Sequence, residues 1–260
     1  MPSKPRLFAT NHDMGSASAM APALQKLKLM GWEIVTFALQ DAPAFQIFSQ
    51  ANLDPQTPLS YGFDECASDA MDRILRLITP DLVLVGVSVS ETGSEKLALR
   101  SALKANIPTA FIVETWPHRW LDVYGKRDVP LYRQASIAMV TDEVSSQYMI
   151  SCGFPQDILA VTGNPSEDGF AANIAKRDAY RRETREAFHI PQDAIVIQWS
   201  MALDLDDPEQ DKPGHSEWMG FSERESVREF LTDSLSEKPI HSEWPGLSCS
   251  GSSRSRAIDH

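Results

Sequence analysis

Four short apolar runs, each emptying into a polar turn, constrain the fold more than anything else in the chain. They are Leu82 to Val89, Thr109 to Val113, Ile137 to Thr141 and Ile158 to Thr162. A strand with one wet face alternates apolar and polar residues. A run apolar at successive positions is a strand covered on both faces, as in a parallel sheet between helices. The segments between the runs supply the helices. Ala67 to Ile78 repeats Ala70, Met71, Ile74, Leu75 and Ile78 at helical spacing and stops before Pro80. Ser94 reads as the cap of a helix to Ala105. Thr141, Asp142 and Glu143 read as the cap of another, with Val144, Tyr148 and Cys152 on one face. Gly153 suits a left-handed C-terminal position there, and Pro155 prevents continuation. Residues 121–135 read as a surface loop or short helix.

The N-terminal stretch repeats the plan. Arg6 to Ala9 is a strand, Thr10 to Ser18 a loop, and Met20, Leu24, Leu27 and Met30 mark a helix ended by Gly31. Pro22 is expected only in the first turn of that helix. Glu33 to Leu39 is the next strand, and a right-handed crossover makes the pair parallel. A short helix over Ala44 to Ala51 follows. Residues 1–165 thus alternate strand and helix about six times, which predicts an α/β fold with a doubly wound, Rossmann-like parallel sheet. The expected organisation is one such domain over 1–170, a linker helix and the first strand of a second domain over 171–200, and an acidic tail over 201–260. The linker helix is Tyr180 to Phe188 and the strand Ala194 to Trp199. The last stretch, GLSCSGSSRSRAIDH, lacks periodicity and reads as disordered.

The formal charge of −12 argues against a nucleic-acid partner, since phosphate contacts need clustered Lys and Arg. No apolar run approaches the roughly 20 residues of a membrane span, and no secretory signal opens the chain. Cys66, Cys152 and Cys249 are odd in number and far apart, so neither a disulfide framework nor a zinc site is expected. The expectation is a cytoplasmic protein without metal or cofactor.

In open α/β sheets ligands bind outside the carboxyl ends of the strands. Three loops are expected there, 10–18, 88–93 and 114–119, with the turn at 163–165 as a fourth. Glu114 leaves a buried strand and precedes Trp116, His118, Arg119 and Trp120. Desolvation raises a carboxyl pKa and a nearby arginine lowers it, which is how a general base is tuned. An ion pair with Arg119 that only orders the loop is the alternative. His12 suits acid–base work near neutrality, or a hydrogen bond within its turn. Gly15, Ser16 and Ser18 would let backbone N–H groups approach a phosphate or sugar, at a helix start that favours anions. Asn11 and Asp13 share that loop. Ser90, Glu91 and Thr92 form the second loop, Thr115, Trp116, His118 and Arg119 the third, and Gly163 and Asn164 the turn. Glu91 serves as a second acid–base group or as a cap. Trp116 and Trp120 stack on a sugar face or pack internally.

The order TDE, helix, CGFP, Ile, AVTGNP, ED over residues 141–168 resembles the end of the first domain of UDP-N-acetylglucosamine 2-epimerases and related GT-B glycosyltransferases. IVETWPHR resembles their HVEAGLR-like run, with Glu114 in the carboxylate position. SVSETG places Glu91 where their GD run stands. The resemblance covers roughly residues 5–170. It implies the N-terminal half of a GT-B fold, a nucleotide-sugar and a carbohydrate acceptor as ligands, and catalytic roles for Glu114, His12 and Glu91. Two departures accompany it. The chain reads ATNHDMGS where the family carries a GTRPE-like run, with His12 near the arginine's place. It reads SMALDLDD where a THRRE-like run opens the second domain. The donor domain would need roughly a further 100 residues or more, so a truncated second domain is expected, along with a homodimer or a partner chain supplying the donor side. The activity implied is glycosyl transfer in surface polysaccharide biosynthesis. A 2-epimerase-like enzyme and a non-catalytic remnant or binding module are the alternatives.

Overall fold

The computed structural model describes residues 4–196, apart from the side chains of Arg119, Ala171 and Ala172, together with Lys212, Ser226 and Glu229. Six strands form one parallel sheet: β1 (Arg6–Thr10), β2 (Glu33–Phe37), β3 (Leu82–Gly86), β4 (Thr109–Val113), β5 (Ile137–Val140) and β6 (Leu159–Val161). Their order is β2-β1-β3-β4-β5-β6. All five pairings are parallel, with Phe8 opposite Val35 and Val83, and Phe111 opposite Val85 and Ala138. The order reverses between β1 and β3, because β2 lies outside β1. That reversal opens a crevice at the carboxyl ends of β1 and β3. The sheet lies in a compact unit ending at Glu183; the rest of the chain forms a second unit.

Side chains of successive strand residues point to opposite faces, so each inner strand feeds two cores. Phe8, Val83, Val85, Phe111, Val113, Ala138 and Val140 enter one. They meet Met71, Ile74 and Ile78 of α3 (Ser68–Ile78), Ala98, Leu99 and Ala102 of α4 (Ser94–Lys104), and Trp120, Leu121 and Tyr132 of α5 (His118–Tyr132). Leu7, Ala9, Leu84, Ala110 and Ile112 enter the other. They meet Ala17, Met20 and Leu24 of α1 (Met14–Leu29) and Ala44 and Phe48 of α2 (Pro43–Gln50). Burial on both faces is what the unbroken apolar runs predict.

Several expectations need correction. The first loop is shorter than 10–18, because α1 starts at Met14, so Gly15, Ser16 and Ser18 are helical. Pro22 lies inside that helix rather than in its first turn. Pro22 itself is only half-buried, beside the buried Ala19, Met20 and Ala21. Residues 118–132 form one long helix despite Gly125 and Pro130. Trp120, Tyr124, Asp128 and Tyr132 fall four apart on it, and Tyr132 is fully buried. Ser94 is the first residue of α4, not its cap; Gly93 caps, and the Ser94 hydroxyl lies 2.8 Å from that of Thr10. In α6 (Glu143–Ser151) Asp142 caps, accepting from Ser145 N–H at 2.7 Å. The buried face there is Ser145, Ser146 and Met149; of the expected stripe Tyr148 and Cys152 are half-buried against the core, while Val144 is exposed. The run at 158–162 is an edge strand with Val161 half exposed, so only one of its flanks is paired.

Past β6, a 3-10 turn (Pro165–Glu167) leads into α7 (Asp168–Ile174) and α8 (Arg177–Ala187). Ala194 to Val196 carry no strand assignment; the rest of the expected strand at 194–199 and nearly all of the acidic tail lie outside the described residues. No helix among the described residues is long and apolar enough to cross a membrane.

Candidate active site

Glycine 86 brings the site together. A Cβ there would lie 2.3 Å from Ser16 Cβ and 2.6 Å from Asn11 Oδ1. Only hydrogen lets the first turn of α1 sit this close to the end of β3. The seat carries Ser16, fully buried, across to the end of β4. There its hydroxyl donates to Glu114 Oε2 at 2.8 Å and lies 3.1 Å from the Val87 carbonyl oxygen. Gly15 completes the fit: a Cβ there would stand 2.5 Å from Glu114 Oε1. Asn164, in the turn after β6, donates its amide N–H to the Glu114 carbonyl at 2.9 Å. Gly163 before it has φ +78°, the left-handed conformation that favours glycine. The loops at 10–18, 114–119 and 163–165 therefore converge on Glu114.

A cavity of about 150 Å³ opens at this point, lined by Asp13, Val87, Ser88, Val89, Glu114, Thr115, Trp116 and Trp120. Burial raises the Glu114 carboxyl pKa above its ordinary value; the Ser16 hydrogen bond opposes this and the nearby Asp13 charge adds to it. The result is a carboxylate in a small apolar-walled space. Trp116 is largely exposed at the rim, where an aromatic face suits a sugar. Trp120 has the packing role: its ring meets Phe111, Tyr132 and Phe154, and its indole N–H donates to Asp128 at 3.0 Å.

Other residues singled out in the sequence stand apart from this cavity. Glu91 is exposed and pairs with Arg127 at 3.2 Å, so it faces solvent and α5 rather than Glu114. His12 does not line the cavity, and its carbonyl accepts from Ala44 N–H at the start of α2. His118 stacks on Tyr148 with ring centres 3.7 Å apart. Thr92 lines a different cavity, of about 550 Å³, with Asp41, Thr57, Asp64 and Cys66. Ser90 offers its carbonyl to the Lys96 ammonium. Asn11 is fully buried; its amide N–H donates to the Asp13 carbonyl at 2.7 Å, and its Oδ1 has no partner among the described residues. Arg119 is placed in the first turn of α5, its side chain outside the described part.

A polar cluster behind the second loop escaped the sequence reading. Lys96 and Asp128, both buried, pair at 3.2 Å. Lys96 also donates to the carbonyls of Ser88 and Ser90. Arg127 grips Asp128 and donates to the Val89 carbonyl at 3.2 Å. Together they hold residues 88–91 against α5. Glu95 is also fully buried, and Ser88 lies between it and the cavity. The signal was present, since Glu95 shares a helical stripe with Leu99 and Ala102, and Asp128 shares one with Trp120 and Tyr132. Acidic and basic neighbours on a helix ordinarily mark a solvated face, which hid it. Among the described residues no group of three or more His, Cys, Asp or Glu could hold a metal ion.

The fold defines the class: a Rossmann-like α/β domain with a six-stranded parallel sheet. The structure is similar to UDP-GlcNAc 2-epimerase from Neisseria meningitidis bound to UDP-GlcNAc, with a TM-score of 0.53 and 18% identity over 72% of this chain and 54% of that one. It is equally similar to S. aureus MnaA solved with UDP, with a TM-score of 0.53 and 16% identity over 72% of this chain and 52% of that one. The chain thus spans about half the length of these structures. Identities this low establish the shared fold alone. No family model and no curated protein sequence matches the chain.

Proposed function

We propose that this chain is the acceptor-side half of a nucleotide-sugar-dependent glycosyltransferase, with Glu114 as the general base. One observation carries the reading: a desolvated carboxylate, held by Ser16, faces a cavity with an aromatic rim at the switch point of the sheet. In the step proposed, ionised Glu114 takes the proton of an acceptor hydroxyl. That oxygen forms a bond to the anomeric carbon of the donor sugar. The bond from that carbon to the diphosphate breaks, and its electron pair leaves with the nucleoside diphosphate. Ser16 orients the carboxylate, Trp116 stacks on the acceptor ring, and Asn164 fixes the Glu114 backbone. The nucleotide of the donor is held outside this domain, and its sugar ring reaches the cavity beside Glu114. The setting that fits is cytoplasmic synthesis of a surface polysaccharide.

A second reading, 2-epimerisation, draws on the likeness to a UDP-GlcNAc 2-epimerase bound to UDP-GlcNAc. It needs two proton-transfer groups at one sugar carbon. Glu91 is turned away in its ion pair with Arg127, so Asp13 would have to be the second. The one-base chemistry of transfer fits the geometry with fewer changes.

Titration with UDP-GlcNAc, followed by calorimetry, tests the sugar-binding reading; no heat and no thermal shift would end it. Where turnover is found, Glu114→Gln is expected to lower kcat by about 10²–10⁴-fold, the usual worth of a general base. Unchanged kcat would remove Glu114 from the mechanism. Free UDP formed only with an acceptor present indicates transfer, whereas a 2-epimer formed without acceptor indicates the second reading.

A further inference from the structure

Glu95 is the buried ionisable group that the proposed mechanism leaves unused. It lies in the first turn of α4, fully shielded from solvent. A Cβ on Gly93 would fall 2.1 Å from its Oε1, so the glycine makes the space that the carboxyl group fills. Oε1 meets Ser88 Oγ at 2.5 Å, a close contact between two oxygens. Oε2 has no partner among the described residues. The adjacent Lys96 is committed to the carbonyls of Ser88 and Ser90 and to Asp128. Asp13 approaches from the turn before α1, Cys66 from the segment before α3, and Tyr132 from α5. Among the described residues, the positive charge acting on Glu95 is Lys96, and it already serves Asp128.

A carboxylate so placed has half its acceptor capacity unmet, which is costly in a dry site. As the neutral acid it gains a donor, and the acceptor in contact with it among the described residues is Ser88 Oγ. Ser88 lines the cavity beside Glu114. Its hydroxyl has a single proton. When Glu95 is ionised that proton points back at Oε1, and when Glu95 donates it is released to turn into the cavity.

We propose that Glu95 is a positioning residue that donates, as a neutral acid, to Ser88 Oγ and thereby aims the Ser88 hydroxyl into the cavity as a hydrogen-bond donor to a sugar oxygen. The inference rests on the sugar-binding reading above for the identity of the acceptor oxygen, but not for the Glu95–Ser88 relay. Burial holds the Glu95 carboxyl above its ordinary pKa, opposed by the Ser88 bond and by Lys96, which is consistent with an acid that keeps its proton. As pH rises through that raised value the proton is lost, Ser88 turns back, and the donor to the sugar disappears.

Infrared spectroscopy of the full chain tests the relay without a ligand. A neutral carboxyl C=O band that persists above the ordinary glutamate range is expected, one that Glu95→Gln removes, that Glu114→Gln leaves, and that Ser88→Ala shifts. Absence of a band specific to Glu95, or indifference of that band to Ser88→Ala, overturns the relay. UDP-GlcNAc titration tests the aim of the hydroxyl. Ser88→Ala and Glu95→Leu are expected to weaken binding roughly tenfold, the worth of one hydrogen bond. Glu95→Gln, whose amide N–H replaces the acid proton, should rescue the Leu variant's loss and abolish the fall in affinity with rising pH. Binding that ignores Ser88→Ala refutes the donor role. If the unsubstituted chain binds no UDP-GlcNAc, the sugar-binding reading fails while the infrared band still decides the relay.

Discussion

Replacing Gly86 by alanine tests the seat on which the site depends. The added Cβ meets Ser16 Cβ at 2.3 Å, Asn11 Oδ1 at 2.6 Å and Ser16 Oγ at 2.7 Å. Ordinary carbon contacts lie at about 3.5–4.0 Å, so Ser16 must recede by about 1 Å or more. A Cβ moves only with its backbone, so the first turn of α1 must move with it. Gly86 itself has little room to yield. It is paired to Ile112 of β4, and the Tyr132 hydroxyl donates to its carbonyl at 3.0 Å from the other face. Overpacking of this kind costs about 1–3 kcal/mol, and with both sides held the upper end, about 3 kcal/mol, is expected. For a domain of this size that lowers Tm by about 6–12 °C. Scanning calorimetry measures it, with ligand titration on the same samples. A Tm drop below about 2 °C would refute the tight seat. Gly15→Ala is the control: the obstacle there is the end of a flexible side chain, Glu114 Oε1 at 2.5 Å. Tm should stay within about 2 °C while the carboxylate is displaced and turnover falls.

Lys96→Met should destabilise by about 1–3 kcal/mol, because it leaves two buried carbonyls unpaired and removes one of two cations from Asp128, which keeps Arg127 and Trp120. Adding Asp128→Leu should recover part of that loss, and fully additive losses in urea melts would argue against a coupled pair. Glu95 and Glu114 both have raised carboxyl pKa values, with burial as the first cause. The folded state therefore holds their protons more tightly than the unfolded chain does. Stability is greatest below the ordinary glutamate range and falls as pH rises through the raised values. Replacing each by Gln should flatten that slope in urea melts run across pH, and an unchanged slope would contradict the burial argument. Asp128, whose carboxyl is held below its ordinary value by Arg127, Trp120 and Lys96 despite burial, contributes the opposite limb, lost as pH falls through its lowered value.

The strand half of the fold was legible because burial on both faces leaves a direct trace: the runs at 82–89, 109–113 and 137–141 are strands or their immediate ends. Helix starts were less legible. TNHDMGSAS reads as a loop by composition, and Met14 begins a helix because Gly86 lets it dock, a reason some seventy residues away in the chain. The same distance explains which of the candidate residues the structure gathers at one cavity. Glu114 announces itself by leaving an apolar strand, a local signal. Glu91, one strand earlier in the same kind of position, looks equivalent in sequence. What separates them is Arg127 on α5, which pairs with Glu91, and Ser16 on α1, which holds Glu114. Glu95 and Lys96 reverse the case: their charges predict a wet surface, and the α4 stripe of Ala98, Leu99 and Ala102 carries them inside. A charge on an apolar stripe must find partners or change protonation when the stripe docks. Lys96 found Asp128, whereas Glu95 has Ser88 and an oxygen left over. That difference is why one pair reads as scaffold and the other as part of the cavity's chemistry.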